Sequence, residues 1–303
     1  MHPKSAEQDL ASQGPIDQPT PFNRKEWDIV IEPPGNSFRL NLREIWRYRD
    51  LIVLLFKRDF FTLYKQTVLG PIWYLVQPSV TALTYYVVFG RIVNISTDGL
   101  PPLVFYMAGI VVWSYFSSCM VNNSDLFSKQ SALFSKVYFP RLVVPIATAM
   151  GGLIAFSIQF VLLMCVSIVM QLAGANLSIN WAAISLIPFL ALYVGILGMG
   201  VGLMVSALTV RFKDLAFAVG FAAQLWMYAS PIIYPISQIS ERFRGVFYLN
   251  PMTAPIETMR HVLFNGGTLM PFIWVSNLLM AALIVFAGVY LFSRAESRAM
   301  DTV

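Results

Sequence analysis

Few residues of this 303-residue chain have the types and spacing that catalysis requires. The two histidines, His2 and His261, lie far apart, and neither has a metal-ligand neighbour at helical spacing. The cysteines, Cys119 and Cys165, each sit inside an apolar run, where a thiol packs as a small apolar group. They make no disulfide framework. No G-x-x-x-x-G-K-S/T loop is present to cradle a phosphate, and no G-x-S-x-G elbow to present a nucleophile. Asp59, Asp125 and Asp214 stand alone, without a second carboxylate for acid–base or metal work. That argues against an intramembrane enzyme such as a lipid-linked sugar transferase. What remains is aromatic. Trp73, Tyr74, Tyr85, Tyr86 and Phe89 fall in one apolar stretch, and Trp226, Tyr228 and Tyr234 in another. An interfacial belt accounts for Trp73, Tyr74 and Tyr234 as readily as a function does. Tyr85 and Trp226 lie deeper and need partners for their polar atoms. Aromatic faces carrying hydroxyls suit the passage of a sugar chain.

The elements that hold these rings follow from composition. Hydrophobic residues make up 57% of the chain and charged ones only 12%, against about 25% charged in a soluble domain. Mean hydropathy is +0.63. No Asp, Glu, Lys or Arg falls in Pro71–Gly90, Gly99–Ser124, Leu142–Val210, Leu215–Ser240 or Val262–Ser293. A helix crosses a bilayer with about 20 apolar residues, so the fold expected is an all-α integral membrane protein. Six spans are predicted: Ile72–Phe89, Leu103–Val121, Leu142–Leu172, Trp181–Leu208, Leu215–Tyr234 and Phe272–Ser293. The longest uncharged run divides at Gly174-Ala175-Asn176, a helix-stop signal.

Charge decides the orientation. Seventeen of the 21 lysines and arginines fall on one side of this six-span arrangement, leaving Arg91, Arg242, Arg244 and Arg260 on the other. Both termini are therefore predicted to be cytoplasmic. The net charge of +5 is a topology signal, not a sign of nucleic-acid binding. Residues 1–41, with no signal-peptide core after Met1, read as a flexible cytoplasmic arm. Residues 42–66 read as an amphipathic interfacial helix. Ile45, Tyr48, Ile52, Leu55, Phe56, Phe60 and Leu63 share one face, with Arg43, Arg47, Asp50, Lys57 and Arg58 opposite and Leu54 intruding on them. Packing of that face on a soluble partner is the other reading. Residues 67–303 form the membrane domain.

Two connections stand out. About 125–139, on the cytoplasmic side, Leu126, Gln130, Leu133 and Val137 make a helical stripe flanked by Phe127 and Phe134. Such a helix suits a groove on a partner protein, or else rests on the membrane. About 236–271, on the outer side, Pro231, Pro235, Asn250-Pro251 and Pro255 punctuate a moderately apolar loop. It reads as a re-entrant pair of short helices, the second (Ile256 to Phe264) capped by Asn265-Gly266-Gly267. Glu257 and Arg260, three residues apart, pair there, either solvated or in a structural role. Gly198-Met-Gly-Val-Gly202 marks close helix packing. No charge occupies a predicted span centre, so energy for transport falls to a separate ATPase.

The motifs carry a resemblance. Phe60-Phe-Thr-Leu-Tyr-Lys-Gln-Thr-Val-Leu-Gly-Pro-Ile-Trp-Tyr-Leu-Val-Gln-Pro78, Val210-Arg-Phe-Lys-Asp-Leu215, Gln224-Leu-Trp-Met-Tyr-Ala-Ser-Pro-Ile-Ile-Tyr-Pro235 and Leu249-Asn-Pro-Met252 resemble type-2 ABC permeases that export polysaccharides. The resemblance covers roughly residues 40–295 and is nearest to O-antigen and teichoic-acid export permeases. It implies a homodimer of six-span subunits with two ATPase subunits, in the bacterial inner membrane. The substrate would be a lipid-linked polysaccharide. This chain would bind no cofactor, ATP and Mg being held by the ATPase. The resemblance also implies a channel lined by Tyr74, Tyr85, Tyr86, Phe89, Trp226, Tyr228 and Tyr234, and coupling to the ATPase through Phe127, Gln130, Leu133 and Phe134. Export of a drug or small lipid is the alternative within the same architecture. The N-terminal arm has no counterpart in the pattern.

Overall fold

The structure, a computed structural model, describes residues 42–65, 70–130, 139–267 and 271–300. The expected arm, residues 1–41, lies outside the described residues, as do Leu133, Phe134 and Val137 of the cytoplasmic stripe. All described regular elements are helical. Hydrocarbon imposes that choice, since a helix satisfies its own backbone donors and acceptors without water.

Helices α1 (Leu42–Arg47) and α2 (Arg49–Lys65) open the described chain. After a 3-10 turn, α3 (Trp73–Tyr85) runs into a π-helical stretch, Tyr86–Ile92. Next are α4 (Pro102–Asn123), the single turn α5 (Leu126–Lys129) and α6 (Val143–Leu172). A 3-10 stretch, Trp181–Leu186, leads into α7 (Ile187–Thr209), followed by α8 (Leu215–Tyr228). Two short helices, α9 (Glu241–Leu249) and α10 (Thr253–Phe264), precede α11 (Pro271–Met300).

Among the described residues, four helices are long and apolar enough to cross a bilayer: Pro102–Asn123, Val143–Leu172, Trp181–Thr209 and Pro271–Ala295. The two remaining expected spans are shorter for identifiable reasons. In the first, i→i+5 hydrogen bonding takes over at Tyr86, as in the Val93 N–H to Val88 C=O bond of 2.9 Å. In the fifth, the helix stops at Tyr228 instead of reaching Tyr234. Pro231 has no N–H to donate, and its ring disfavours helical backbone at Ser230.

The innermost helix is α4. Burial reaches 78% of its spanning stretch, against 28% in both α6 and α11. It contacts α3, α6, α7, α8 and α10. Glycines let α7 sit between two neighbours. A Cβ at Gly198 would lie 2.7 Å from the Phe116 carbonyl of α4, and one at Gly200 would lie 2.8 Å from a Val285 methyl of α11. The expected G-x-x-x-G packing therefore serves α4, while the intervening glycine serves α11. The stripe on α2 is used by the chain itself. Ile52 and Leu55 are buried in a cluster with Phe139, Val143, Val144 and Ala147, whereas Leu54 and Phe61 stay exposed.

Candidate functional site

The rings singled out on α3 and α8 meet across α4. Tyr85 is buried and points its hydroxyl at the Met227 sulfur, 3.6 Å away. Its ring makes edge contacts with Phe89 (5.5 Å between centroids) and Tyr106 (6.2 Å). Trp226 packs edge-on against Phe116 at 5.1 Å and Trp113 at 6.4 Å. Tyr106, Trp113 and Phe116 thus join α3 and α8 through one face of α4. Their positions, seven and three residues apart, put them on one face of a helix, with Trp113 and Phe116 in contact at 5.1 Å. That spacing was available in the sequence, although the apolar context drew attention to the ends of the path.

The other expected lining residues divide. Tyr234 donates its hydroxyl to the Tyr228 carbonyl at 2.6 Å, closing the turn after α8, and the Tyr228 ring is exposed. Tyr86 faces away from Tyr85: Arg91 Nε donates to its hydroxyl at 2.8 Å, and the guanidinium lies over its ring. Tyr74 stands eleven residues before Tyr85, which at 1.5 Å per residue is about 16 Å along the axis. It lines a separate cavity with Arg58 and Asp59. The structure therefore brings Phe89 and Tyr228 to Tyr85, the two tyrosine side chains interacting through their hydroxyls. Trp226 sits next in sequence to the Met227 that Tyr85 touches, and Tyr74 lies in the separate cavity.

Of the coupling candidates, Phe127 packs its ring on Phe292 of α11 at 4.9 Å, beneath the Arg141 guanidinium. Gln130 borders the Tyr74 cavity. Leu133 and Phe134 lie outside the described residues.

Two anchors fix the segment after α8. The first is the expected Glu257–Arg260 pair, for which the sequence leaves a solvated and a structural role open; both residues are fully buried. The pair is not solvated. Arg260 donates from Nη1 to Glu257 Oε1 at 3.3 Å and to the Pro231 carbonyl at 2.6 Å. Nη2 reaches the Ile232 carbonyl at 2.8 Å and Nε the Phe105 carbonyl at 3.3 Å. The guanidinium carbon lies 3.5 Å above the centre of the Phe105 ring. Burial lowers the Arg260 pKa to about 10, opposed by the charges of Glu257 and Asp98, so the side chain stays cationic at neutral pH. It satisfies the Pro231 and Ile232 carbonyls in the non-helical segment that follows α8, the role that water would have outside a membrane.

The second anchor is the Asn250-Pro251-Met252 turn between α9 and α10. Asn250 Oδ1 accepts from the Trp226 indole N–H at 3.1 Å and from the Met252 N–H at 3.1 Å. Its Nδ2 donates to the Ala229 carbonyl at 3.0 Å and to Ser230 Oγ at 2.9 Å. Asn277 of α11 holds the other flank, donating to the Tyr248 carbonyl at 2.7 Å and accepting from the Ala254 N–H at 2.8 Å. Tyr193 of α7 donates to the Pro251 carbonyl at 2.9 Å. The α9–α10 pair is thereby fastened to α7, α8 and α11. Among the described residues, no group of three or more His, Cys, Asp or Glu side chains comes together to hold a metal ion.

An aromatic wall between helices can guide a solute past flat rings and exchangeable hydrogen-bonding groups. Comparison with known proteins gives the family. The chain is 27% identical over 251 residues to an O-antigen export system permease protein RfbA of Klebsiella pneumoniae, covering 82% of this chain and 93% of that protein. It is 26% identical over 227 residues to the RfbA of Myxococcus xanthus, covering 74% and 84% of the two chains. Identity to the polysialic acid transport protein KpsM of Escherichia coli is 23% over 213 residues, covering 70% and 80%. The sequence profile of the ABC-2 type transporter matches residues 50–264, and with most of its length so matched the chain belongs to that family of membrane permeases.

Proposed function

We propose that the chain is the membrane permease of an ATP-driven exporter moving a lipid-linked polysaccharide to the outer face of the bacterial inner membrane. The observation that carries this reading is the near full-length similarity to the Klebsiella O-antigen permease, shared at lower identity with the polysialic acid transporter. The aromatic face built by Tyr85, Tyr106, Trp113, Phe116 and Trp226 supports it. Flat rings contact the CH faces of sugars, and Tyr hydroxyls and indole N–H groups offer exchangeable hydrogen bonds. Charged walls would hold a glycan more tightly and cost more to bury.

In this reading six spans are completed by α3 with its π-helical continuation and by α8 with the chain up to Tyr234. The α9–α10 pair re-enters the outer leaflet, and both termini are cytoplasmic. Two copies of the chain enclose the path, each bound to an ATPase subunit through the loop about 125–139. ATP and Mg belong to that subunit. The test is genetic and biochemical. A strain lacking its own O-antigen-type permease is expected to regain surface polysaccharide when given this chain with its cognate ATPase. The purified chain alone is expected to hydrolyse no ATP. Robust hydrolysis by the chain alone, or failure to restore any polysaccharide with the ATPase present, overturns the reading.

The path itself is checked by chemistry. With Cys119 and Cys165 replaced, single cysteines at positions 85 and 226 are expected to react with a small water-soluble thiol reagent during ATP-driven turnover. Both are packed in the resting subunit, so reactivity should rise on cycling. If neither reacts in either state, these positions face packed protein and the path runs elsewhere.

A further inference from the structure

Away from the aromatic path, a groove runs between α6 and α7. Both helices belong to the stretch Leu142–Val210, which has no Asp, Glu, Lys or Arg, so the groove lies at the depth of the hydrocarbon core. One side chain builds it. Tyr115 of α4 wedges its ring between the two helices and touches the backbone of both. A Cβ added at Gly152 of α6 would lie 2.9 Å from Tyr115 Cε2, and one added at Gly195 of α7 would collide with the Tyr115 hydroxyl. That hydroxyl donates to the Ala149 carbonyl at 3.3 Å, and the ring packs on Phe156 at 5.4 Å between centroids. The wedge spaces α6 from α7 and leaves a cavity of about 650 Å³ above it, inside the about 300–1,000 Å³ typical of small-molecule sites.

The floor of the groove is Tyr115, Phe156 and Ala191, all buried, and its rim is Val161, Leu192 and Ile196, all exposed. On α6 the lining runs from Ile146 to Val161, which at 1.5 Å per residue is about 22 Å. That is more than half of the about 30 Å hydrocarbon core. The hydroxyls on the described lining, Tyr115 and Ser157, both give their hydrogens to backbone carbonyls, Ser157 to Leu153 at 2.8 Å. What the groove offers is apolar contact. Water gains little there, since apolar cavities stay dry, and unfilled walls forfeit dispersion contacts. The occupant is therefore hydrocarbon, and it is narrow. A single ring separates α6 from α7, whereas a helix with its side chains is about 10–12 Å across. A helix from a second copy would rest on the rim and leave the floor bare. An acyl chain, one methylene wide, reaches the floor. We propose that the groove is a binding site for one acyl chain of a bilayer phospholipid, held extended along α6 and α7. Tyr115 lies between Trp113 and Phe116 in sequence, so the chain braces α4 on a different face from those rings. This site depends on the bilayer and not on what the aromatic path carries.

Ser157 is the position to fill. It is exposed on the lining, and its hydroxyl bonds within its own helix, so replacing it costs no hydrogen bond between helices. Ser157→Phe projects a ring into the groove. Ser157→Leu fills it less and is a better helix former than serine, whereas Ser157→Ala leaves it open. The full-length chain is placed in nanodiscs of phosphatidylcholine whose palmitoyl chain carries a mid-chain diazirine. After photolysis, labelled peptides are mapped by mass spectrometry. The stretches 146–161 and 184–199 are expected to take up about tenfold more label than 275–286 of α11, the preference that about 1.4 kcal/mol of binding gives. Val275, Leu279 and Phe286 of that comparison stretch are exposed as well. Native mass spectrometry of the extracted chain should find one phospholipid retained per subunit. Ser157→Phe should lower the labelling to the α11 level and release the retained lipid, while Ser157→Ala keeps both. Label spread evenly over α6, α7 and α11 in the wild type overturns the site. So does a Ser157→Phe protein of wild-type melting temperature that labels like the wild type, and Ser157→Leu decides in the same way where the phenylalanine variant folds poorly. With Cys119 and Cys165 replaced, Ile196→Cys is expected to give no disulfide-linked dimer in the membrane. A cross-linked dimer would show that a second copy covers the groove and would overturn the lipid site.

Discussion

Arg260→Ala is expected to remove most of the folded protein from the membrane. The substitution leaves the Glu257 carboxylate buried without its cation and strips the donors from the carbonyls of Phe105, Pro231 and Ile232. Removing one partner of a buried ion pair costs about 3–5 kcal/mol, comparable with much of the stability of a typical domain. Arg260→Lys should recover little. An ammonium is a compact charge that reaches one or two of these acceptors and cannot lie flat on Phe105 as the guanidinium does. The double variant Glu257→Gln with Arg260→Met should fare better than Arg260→Ala, because no charge is left stranded, although the carbonyls stay open. Fluorescence-detected size-exclusion profiles and melting temperatures in detergent separate these cases. An Arg260→Ala protein with wild-type yield and melting temperature would show that the cluster contributes nothing to the fold.

The same residue marks where sequence reading stops. Its charge and its three-residue spacing from Glu257 are legible, and they fit a solvated pair as well as a buried one. What decides is the distant chain: Phe105 lies 155 residues away, and Pro231 and Ile232 lie 29 and 28 away. Nothing local reports that α8 ends against α10. The spanning helices were more legible because their signal is local, in hydropathy, prolines and charge-free runs. Even there, the π-helical stretch after Tyr85 has no composition to announce it. On α4 the sequence did hold the information. Tyr106, Trp113 and Phe116 recur at helical spacing, but a helix apolar on every side gives no hint of which face meets α3 and α8. The stripe on α2 is legible as a face, but its sequence suggests lipid or a soluble partner, and its burial on Val143, Val144 and Ala147 depends on the tertiary fold.

Asn250→Asp is the smallest change expected to unfasten α8 from the α9–α10 pair. The new side chain has the same shape, and one oxygen can still accept from the Trp226 indole and from the Met252 N–H. The other oxygen replaces the Nδ2 that donates to Ala229 O at 3.0 Å and to Ser230 Oγ at 2.9 Å. Neither can donate back. The first is a carbonyl, and the Ser230 hydroxyl already gives its hydrogen to the Trp226 carbonyl at 2.9 Å. A carboxylate would thus face two acceptors, whereas a protonated carboxyl could donate to one of them. Folding therefore favours the protonated form, and the carboxyl pKa in the folded protein is raised above its unfolded value near 3.9. The sign follows from linkage. The folded state keeps its proton longer than the unfolded state, so stability is greatest below the unfolded pKa and falls as pH rises through the folded one. The variant is expected to melt well below wild type at pH 7.5 and to approach it toward pH 4.5, with a deficit at neutral pH of at least the about 1–3 kcal/mol lost when a buried acceptor goes unpaired. Asn250→Ala supplies the control, because it loses the Nδ2 bonds, and the Oδ1 bonds as well, without adding a titrating group and should show a pH-independent deficit. Trp226→Phe removes one of the two donors to Oδ1 and should be milder than either. A difference in melting temperature between Asn250→Asp and wild type that stays flat from pH 4.5 to 7.5 would mean that the turn opens to water. In that case Asn250 does not fasten α8 to the α9–α10 pair.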